Sequence, residues 1–148
     1  MSQISSRGIL RNTWKNAVAL VISMSLVGCQ GFVNGKAYSE TAIAQFHEHY
    51  NQSKFEEIWK GADPRFRDAG KRETYDQFMA KVRGKLGQVV KSSESGFNIQ
   101  QLNMETICYI TEATTFENGE GVEQFSFKIN GNQALLVGYN VNSNDLIN

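Results

Sequence analysis

The chain has 148 residues, 41% hydrophobic and 20% charged, which suits one globular domain and is short for two. Its 15 basic and 15 acidic side chains are unevenly placed: residues 1–28 hold Arg7, Arg11 and Lys15 and no acid, leaving 12 basic and 15 acidic residues beyond them. A mildly acidic body lacks the basic surface that neutralises phosphates, so nucleic acid is not an expected partner.

The N-terminal segment runs from a polar stretch with three positive charges into Ala17–Leu26, ten uncharged residues, and then Val27, Gly28 and Cys29. That order matches the charged, apolar and cleavage regions of a secretory signal. An uncleaved membrane span is the alternative, but Ala17–Gly28 would reach only about 18 Å as a helix, against a hydrocarbon core of about 30 Å. Leu26-Val27-Gly28-Cys29 resembles the lipobox of bacterial lipoproteins, in which the cysteine is acylated and becomes the new N-terminus. The resemblance implies a signal peptide over residues 1–28 and lipidation of Cys29, several acyl chains giving stable attachment. Gln30, rather than aspartate, after that cysteine implies the outer membrane, facing the periplasm, in a cell that has one. With Cys29 lipidated, Cys108 has no partner for a disulfide.

Beyond Cys29, Gln30–Tyr38 contains two glycines and reads as a tether, giving a lipidated linker over 29–38 and a domain over 39–148. Ser39 is placed to cap a helix running to about Ser53, with Ile43, Phe46 and Tyr50 at helical spacing. Phe55–Lys60 forms a second short helix, stopped by Gly61 and Asp63-Pro64. The clearest helix is Thr74–Leu86, where Tyr75, Phe78, Met79, Val82 and Leu86 share a face, Thr74 and Gln77 make a capping box and Gly87 ends the run. After Gly87 the period becomes 2. Strands are expected over Gln88–Ser92 (extending toward Ile99), Glu105–Phe116, Val122–Ile129 and Gln133–Val141, with hairpin turns at Asn118-Gly119 and Asn130-Gly131. Three helices followed by hairpin-linked strands define an α+β fold, helices packed on one face of a four-stranded antiparallel sheet.

That plan, together with AIAQFHEHYNQSKFEEIW, FMAKVRGKLG and QALLVGYNVNS, resembles small bacterial lipoproteins of uncharacterised function with a nuclear transport factor 2-like cone. The resemblance spans about Ser39–Ile147 and rests on packing motifs. It implies a curved sheet whose concave face holds any site, but the superfamily contains isomerases, dehydratases, carriers and assembly domains, so fold settles no function.

Among chemically able residues, His47 and His49 point about 200° apart on a helix and cannot share a metal; both are expected on the helix border. No HExxH or Cys-His spacing occurs, so neither metal nor another cofactor is expected. Cys108, flanked by Ile107 and Tyr109 in a strand, reads as a buried, inert thiol. Asp63–Asp68 reads either as an anion-gripping loop or as a solvated turn with Phe66 tucked inward. Lys71, Arg72, Lys81, Arg83, Lys85 and Lys91 cluster near the third helix, either as a solvated face or as a surface that pairs two copies in a homodimer.

Glu112 and Glu123 form the sharpest pair. A two-residue turn at Asn118-Gly119 sets Glu112 opposite Phe125 and Ile110 opposite Phe127. Period 2 then puts both carboxylates on the same face as Ile110, Phe116, Phe125 and Phe127. Two carboxylates on an aromatic face have raised pKa values, as general acid–base chemistry needs. Tyr139 joins them if the Asn130-Gly131 loop has three residues, and a ligand pocket is expected from Phe125, Phe127 and Trp59. The sequence thus supports a membrane-anchored, non-catalytic domain binding a protein or a small apolar ligand. The alternative is an isomerase- or dehydratase-type enzyme using Glu112 and Glu123.

Overall fold

A computed structural model of the chain describes the backbone of residues 27–147 and the side chains of residues 34–147. The expected signal peptide and the side chain of Cys29 therefore fall outside the described residues. Two units divide the chain, Met1–Gly31 and Phe32–Asn148, and the second contains all the packing described below.

The first helix, α1 (Val27–Asn51), includes the segment expected as a tether. Its buried stripe runs through Gly35, Ser39, Ile43, Phe46, His47 and Tyr50. Ser39 is not a cap: its hydroxyl donates to the Gly35 carbonyl at 2.9 Å, one turn back. Gly35 is a contact residue rather than a breaker, because a Cβ there would sit 3.3 Å from both Cys108 Sγ and Ile99 Cδ1. The helix ends with Ser53 at φ 55°. The Ser53 N–H bonds to the Tyr50 carbonyl and the Lys54 N–H to the His49 carbonyl, the paired bonds of a Schellman cap.

Four α-helices are present among the described residues where three were expected. After α2 (Phe55–Gly61), the Asp63-Pro64 loop itself forms α3 (Pro64–Asp68). Asp63 caps it by accepting the Arg65 N–H at 2.9 Å, and Pro64 occupies the first turn, where a missing N–H costs nothing. The Asp63 N–H bonds to the Leu136 carbonyl and pins this corner to the sheet. The fourth helix, α4 (Arg72–Leu86), starts two residues earlier than its apolar pattern suggests. The Thr74–Gln77 capping box does not form, because Lys71 is the N-cap and both residues face solvent inside the helix. Gly87 ends it as expected, at φ 80°.

The strands β1 (Val89–Leu102), β2 (Glu105–Phe116), β3 (Gly119–Asn130) and β4 (Gln133–Asn142) pair in chain order as an antiparallel meander. β2 matches its expected bounds, and β1 runs well past Ile99, with register breaks after Val89 and Glu94. Cys108, Ile110, Phe116, Phe125, Phe127, Leu136 and Val141 form the buried inner face. Against it Phe46 meets Phe125 edge-on at 5.1 Å, Tyr50 meets Phe116, and Phe78 of α4 meets Tyr139.

Register departs from expectation at both hairpins. Phe116 pairs with Gly119, so the first turn is Glu117-Asn118. Neither residue has positive φ, which rules out the mirror-image turn that Asn-Gly signals. Instead the turn's N–H groups donate to the Gln88 and Leu86 carbonyls. The pairing is shifted by two residues, which keeps every side chain on its expected face but sets Glu112 directly opposite Glu123. In the second hairpin Phe127 pairs with Leu136 while Phe125 pairs with Tyr139, leaving Val137 as a bulge. The bulge switches the phase of β4: Leu136, not Leu135 or Val137, faces inward, and Tyr139 and Val141 follow it. Among the described residues no helix is long and apolar enough to cross a membrane.

Candidate functional site

Period 2 along β3 carries Glu123 onto the inner face between aromatic neighbours, where it is fully buried. An unpaired carboxylate there would cost several kcal/mol, and three donors from three elements meet it. His47 of α1 lies with Nε2 2.8 Å from Oε2, Thr114 of β2 donates to the same oxygen at 2.6 Å, and Tyr139 of β4 donates to Oε1 at 2.7 Å. The Glu123 carboxylate therefore ties the long helix to three adjacent strands' worth of sheet. Burial, with the Glu123 charge beside it, pushes the Tyr139 phenol well above its ordinary range, so it stays a donor.

Glu112 is buried beside this knot on β2. Desolvation raises its pKa, and the charges of Glu123 and Glu94 add to the rise; a hydrogen bond from Ser92 and the His47 charge oppose it. The expected pair is thus brought together, with Tyr139 in place.

His47 was expected on the helix border and belongs instead to the buried face. Its ring packs near Phe125 at 5.8 Å and is only 9% exposed. The signal was present in the sequence: Ile43, Phe46, His47 and Tyr50 follow the full i, i+3, i+4, i+7 pattern. His49 does diverge from it, as the helical geometry requires. No group of three metal-ligating side chains occurs among the described residues.

The expected pocket of Phe125, Phe127 and Trp59 is not assembled as a unit. Phe125 and Phe127 stack at 5.9 Å with planes 7° apart, both buried. Trp59 packs in a separate cluster, 4.9 Å from Tyr75 and 5.9 Å from Phe66, under the Arg72 guanidinium. Phe127, however, reaches a cleft of about 120 Å³ between α1, the end of α2 and β4. Its floor is apolar, with Phe46, Ile58 and Leu136 beside Phe127. His49 stands on its wall, and the ring Nδ1 is shut from solvent with no hydrogen-bond partner among the described residues. The cleft continues, through shared Ala42, Gln45, Gly61 and Ala134, into a hollow of about 310 Å³ between Tyr38 and the β3–β4 turn. Another hollow, of about 440 Å³, lies on the outer sheet face, but short polar side chains such as Ser93, Thr115 and Asn142 line it and no aromatic ring does.

The remaining candidates are absorbed by the fold. Cys108 is a buried free thiol whose pKa burial raises, with a Ser39 hydrogen bond opposing. Arg65 bonds Asp63 and Glu105, and Arg67 bonds the Lys60 and Ala62 carbonyls, so the Asp63–Asp68 segment grips its own chain rather than an anion. No protein family, curated protein or solved structure matches this chain, so what it does is argued from its geometry.

Proposed function

We propose that the protein is a lipoprotein held to a membrane through Cys29, with a nuclear transport factor 2-like domain that binds a small apolar ligand without catalysis. The signal-like segment and Leu26-Val27-Gly28-Cys29 support the anchoring. A long helix laid across a bulged four-stranded meander supports the cone-like fold. The observation that carries the binding reading is the continuous groove floored by Phe46, Ile58, Phe127 and Leu136. Small-molecule sites have this character, an apolar concavity with few polar groups, and His49 is one of the few polar residues on its wall.

The enzyme reading is favoured by one observation, the raised pKa of Glu112 facing Glu123. Against it, a general base must reach its substrate, and Glu123 is closed off with three internal donors on its two oxygens.

Titration with the apolar fluorophore N-phenyl-1-naphthylamine tests the binding reading. Wild type should enhance its emission, Ala42→Trp, which fills the groove, should abolish the effect, and Glu112→Gln should leave it intact. Equal binding by wild type and Ala42→Trp would refute the assignment of the groove. Membrane fractionation of Cys29→Ser tests the anchor separately, the expected result being release from the membrane or a stalled precursor.

A further inference from the structure

The direction of α1 fixes which end of the domain lies nearest Cys29. Gly35 packs against Ile99, Cys108 and Ile129. Fifteen residues on, at the other end of the helix, the Tyr50 hydroxyl donates to the Gly87 carbonyl, and Asn51 next to it exchanges two bonds with the Val89 backbone. The helix therefore begins at the end of the sheet that carries the β1–β2 and β3–β4 turns, and finishes at the end that carries Glu117-Asn118. Cys29 is five residues before Asn34, a span of at most about 18 Å however the chain runs. Leu102 is three residues beyond Ile99, about 10 Å along the strand.

At that end the β1–β2 turn presents two apolar side chains to solvent, Leu102 at 62% and Met104 at 94% exposure. The turn is also strained. Asn103 and Met104 have φ 51° and 65°, the left-handed backbone of a mirror-image hairpin turn, where glycine is the relaxed choice. The neighbouring β3–β4 turn uses Gly131 at φ 61° for the same task. Met104 thus holds a costly conformation while keeping an apolar side chain in water. Its surroundings carry no loose negative charge: Glu105 is tied to Arg65 at 2.8 Å and Lys128 at 2.6 Å. Flanking residues such as Gln101, Asn130 and Asn132 are neutral and polar.

We propose that this turn dips into the lipid interface beside the anchor, with Leu102 and Met104 inserted among the headgroups and upper acyl chains. The inference rests on the lipid-anchor reading. Acyl chains on Cys29 supply attachment, and the turn supplies orientation, since one flexible point of attachment leaves a domain free to swivel. The hollow between Tyr38 and the β3–β4 turn opens at this same end, which sets the mouth of the groove against the bilayer. Arg83 and Lys85, the basic residues at the end of α4, lie toward the opposite end near Glu117 and Asn118.

The test uses the full, processed chain in phosphatidylcholine–phosphatidylglycerol vesicles. Met104→Cys is labelled with an environment-sensitive fluorophore and compared with Ile147→Cys at the opposite end, with nitroxide-bearing lipids as quenchers. Cys108 is buried and takes no label in the folded protein. The expected result is a blue shift and several-fold stronger quenching at 104 than at 147. A chain that floats with the vesicles but shows no shift and no quenching at 104 overturns the proposal. So does a blue shift without lipid quenching, which would mean the turn meets protein, a second copy included. Failure to float, or labelling of the wild type at Cys29, would instead reject the anchor and with it the ground for this orientation. Flotation and wild-type labelling are read independently of the quenching.

Discussion

Two neighbouring parts of the interior handle polar atoms in opposite ways. Around Glu123 a carboxyl group is sealed from water, and each of its oxygens is engaged by a side chain from another element. Two residues further along α1 from His47, His49 stands on the wall of the groove with its ring Nδ1 buried and without a hydrogen-bond partner among the described residues. The first arrangement holds elements together, with both oxygens engaged from within. The second contributes little to the fold and leaves room for something else. Burial alone therefore does not mark a functional group: a buried polar atom whose partners are all internal is explained by the fold, whereas one left without a partner is not.

The sharpest way to break this comparison is Glu123→Ala. It leaves the Thr114 and Tyr139 hydroxyls and the His47 ring without their common acceptor, and removing one partner of a buried charged cluster costs about 3–5 kcal/mol. Urea unfolding should show a loss of that size. A loss below about 1 kcal/mol, in the range of a surface substitution, would mean the knot is not structural and would reopen the catalytic reading. Tyr139→Phe is the smaller version. It keeps the ring, which packs against Phe46 and Phe125, and deletes one hydrogen bond to a charged acceptor, worth about 1.5–3 kcal/mol. The same unfolding measurement should place it between Glu123→Ala and wild type.

Much of the fold was legible in the sequence, and the misses have separate causes. Alternation along β2 and β3 put Ile110, Glu112, Phe116, Glu123, Phe125 and Phe127 on one face, and all six are buried there. The pairing partners were misjudged because Asn118-Gly119 was read for its backbone preference. In the structure, Gly119 has ordinary φ and is small because a Cβ would collide with the Asp145 carboxylate. That is a contact between residues 26 apart, invisible to a local rule. The Val137 bulge was hidden for a different reason: Leu135, Leu136 and Val137 are all apolar, so the run carries no phase from which a slip could be detected. Gly35 was read as a tether residue, yet it serves a close helix–sheet approach, the other use of a missing side chain. Asp63-Pro64 did carry a helix-start signature, but five residues are too few to show a period. At the site, the glutamates were legible from strand alternation and His47 from its helical spacing, whereas the facing of Tyr139 was left open by the loop length and is set by the Val137 bulge.

Glu112→Gln sharpens the comparison through pH. A carboxyl whose pKa rises on folding carries no penalty below its unfolded value. The penalty grows as pH climbs through the folded value, because the folded state binds the proton more tightly. Glu112 is such a group, raised above 4.5 chiefly by burial. The neutral amide removes the charge and keeps the shape. Stability of Glu112→Gln relative to wild type should therefore improve from acid to neutral pH and converge with it at low pH. Thermal melts across that range read the difference. A variant that lost stability only at neutral pH would show the Glu112 carboxylate to be favourably held.

The smallest expected effect is at His49, and it separates the two regions most directly. His49→Leu removes a ring nitrogen that has no partner among the described residues and replaces it with an apolar group beside Ile58 and Phe127. Removing an unsatisfied polar atom leaves no donor or acceptor stranded, so the change should be neutral or slightly stabilising, within about 1 kcal/mol. His47, two residues earlier, gives the contrast, because His47→Leu strands the Glu123 carboxylate and should cost several times more. If the groove is a ligand seat, His49→Leu should also alter the affinity for the naphthylamine probe while the melting temperature stays near that of wild type. His49→Gln, which restores a polar atom at the same wall, should move affinity back toward wild type. Equal destabilisation by the two histidine variants would erase the distinction, and would mean that His49, like His47, is held by the fold rather than left without a partner.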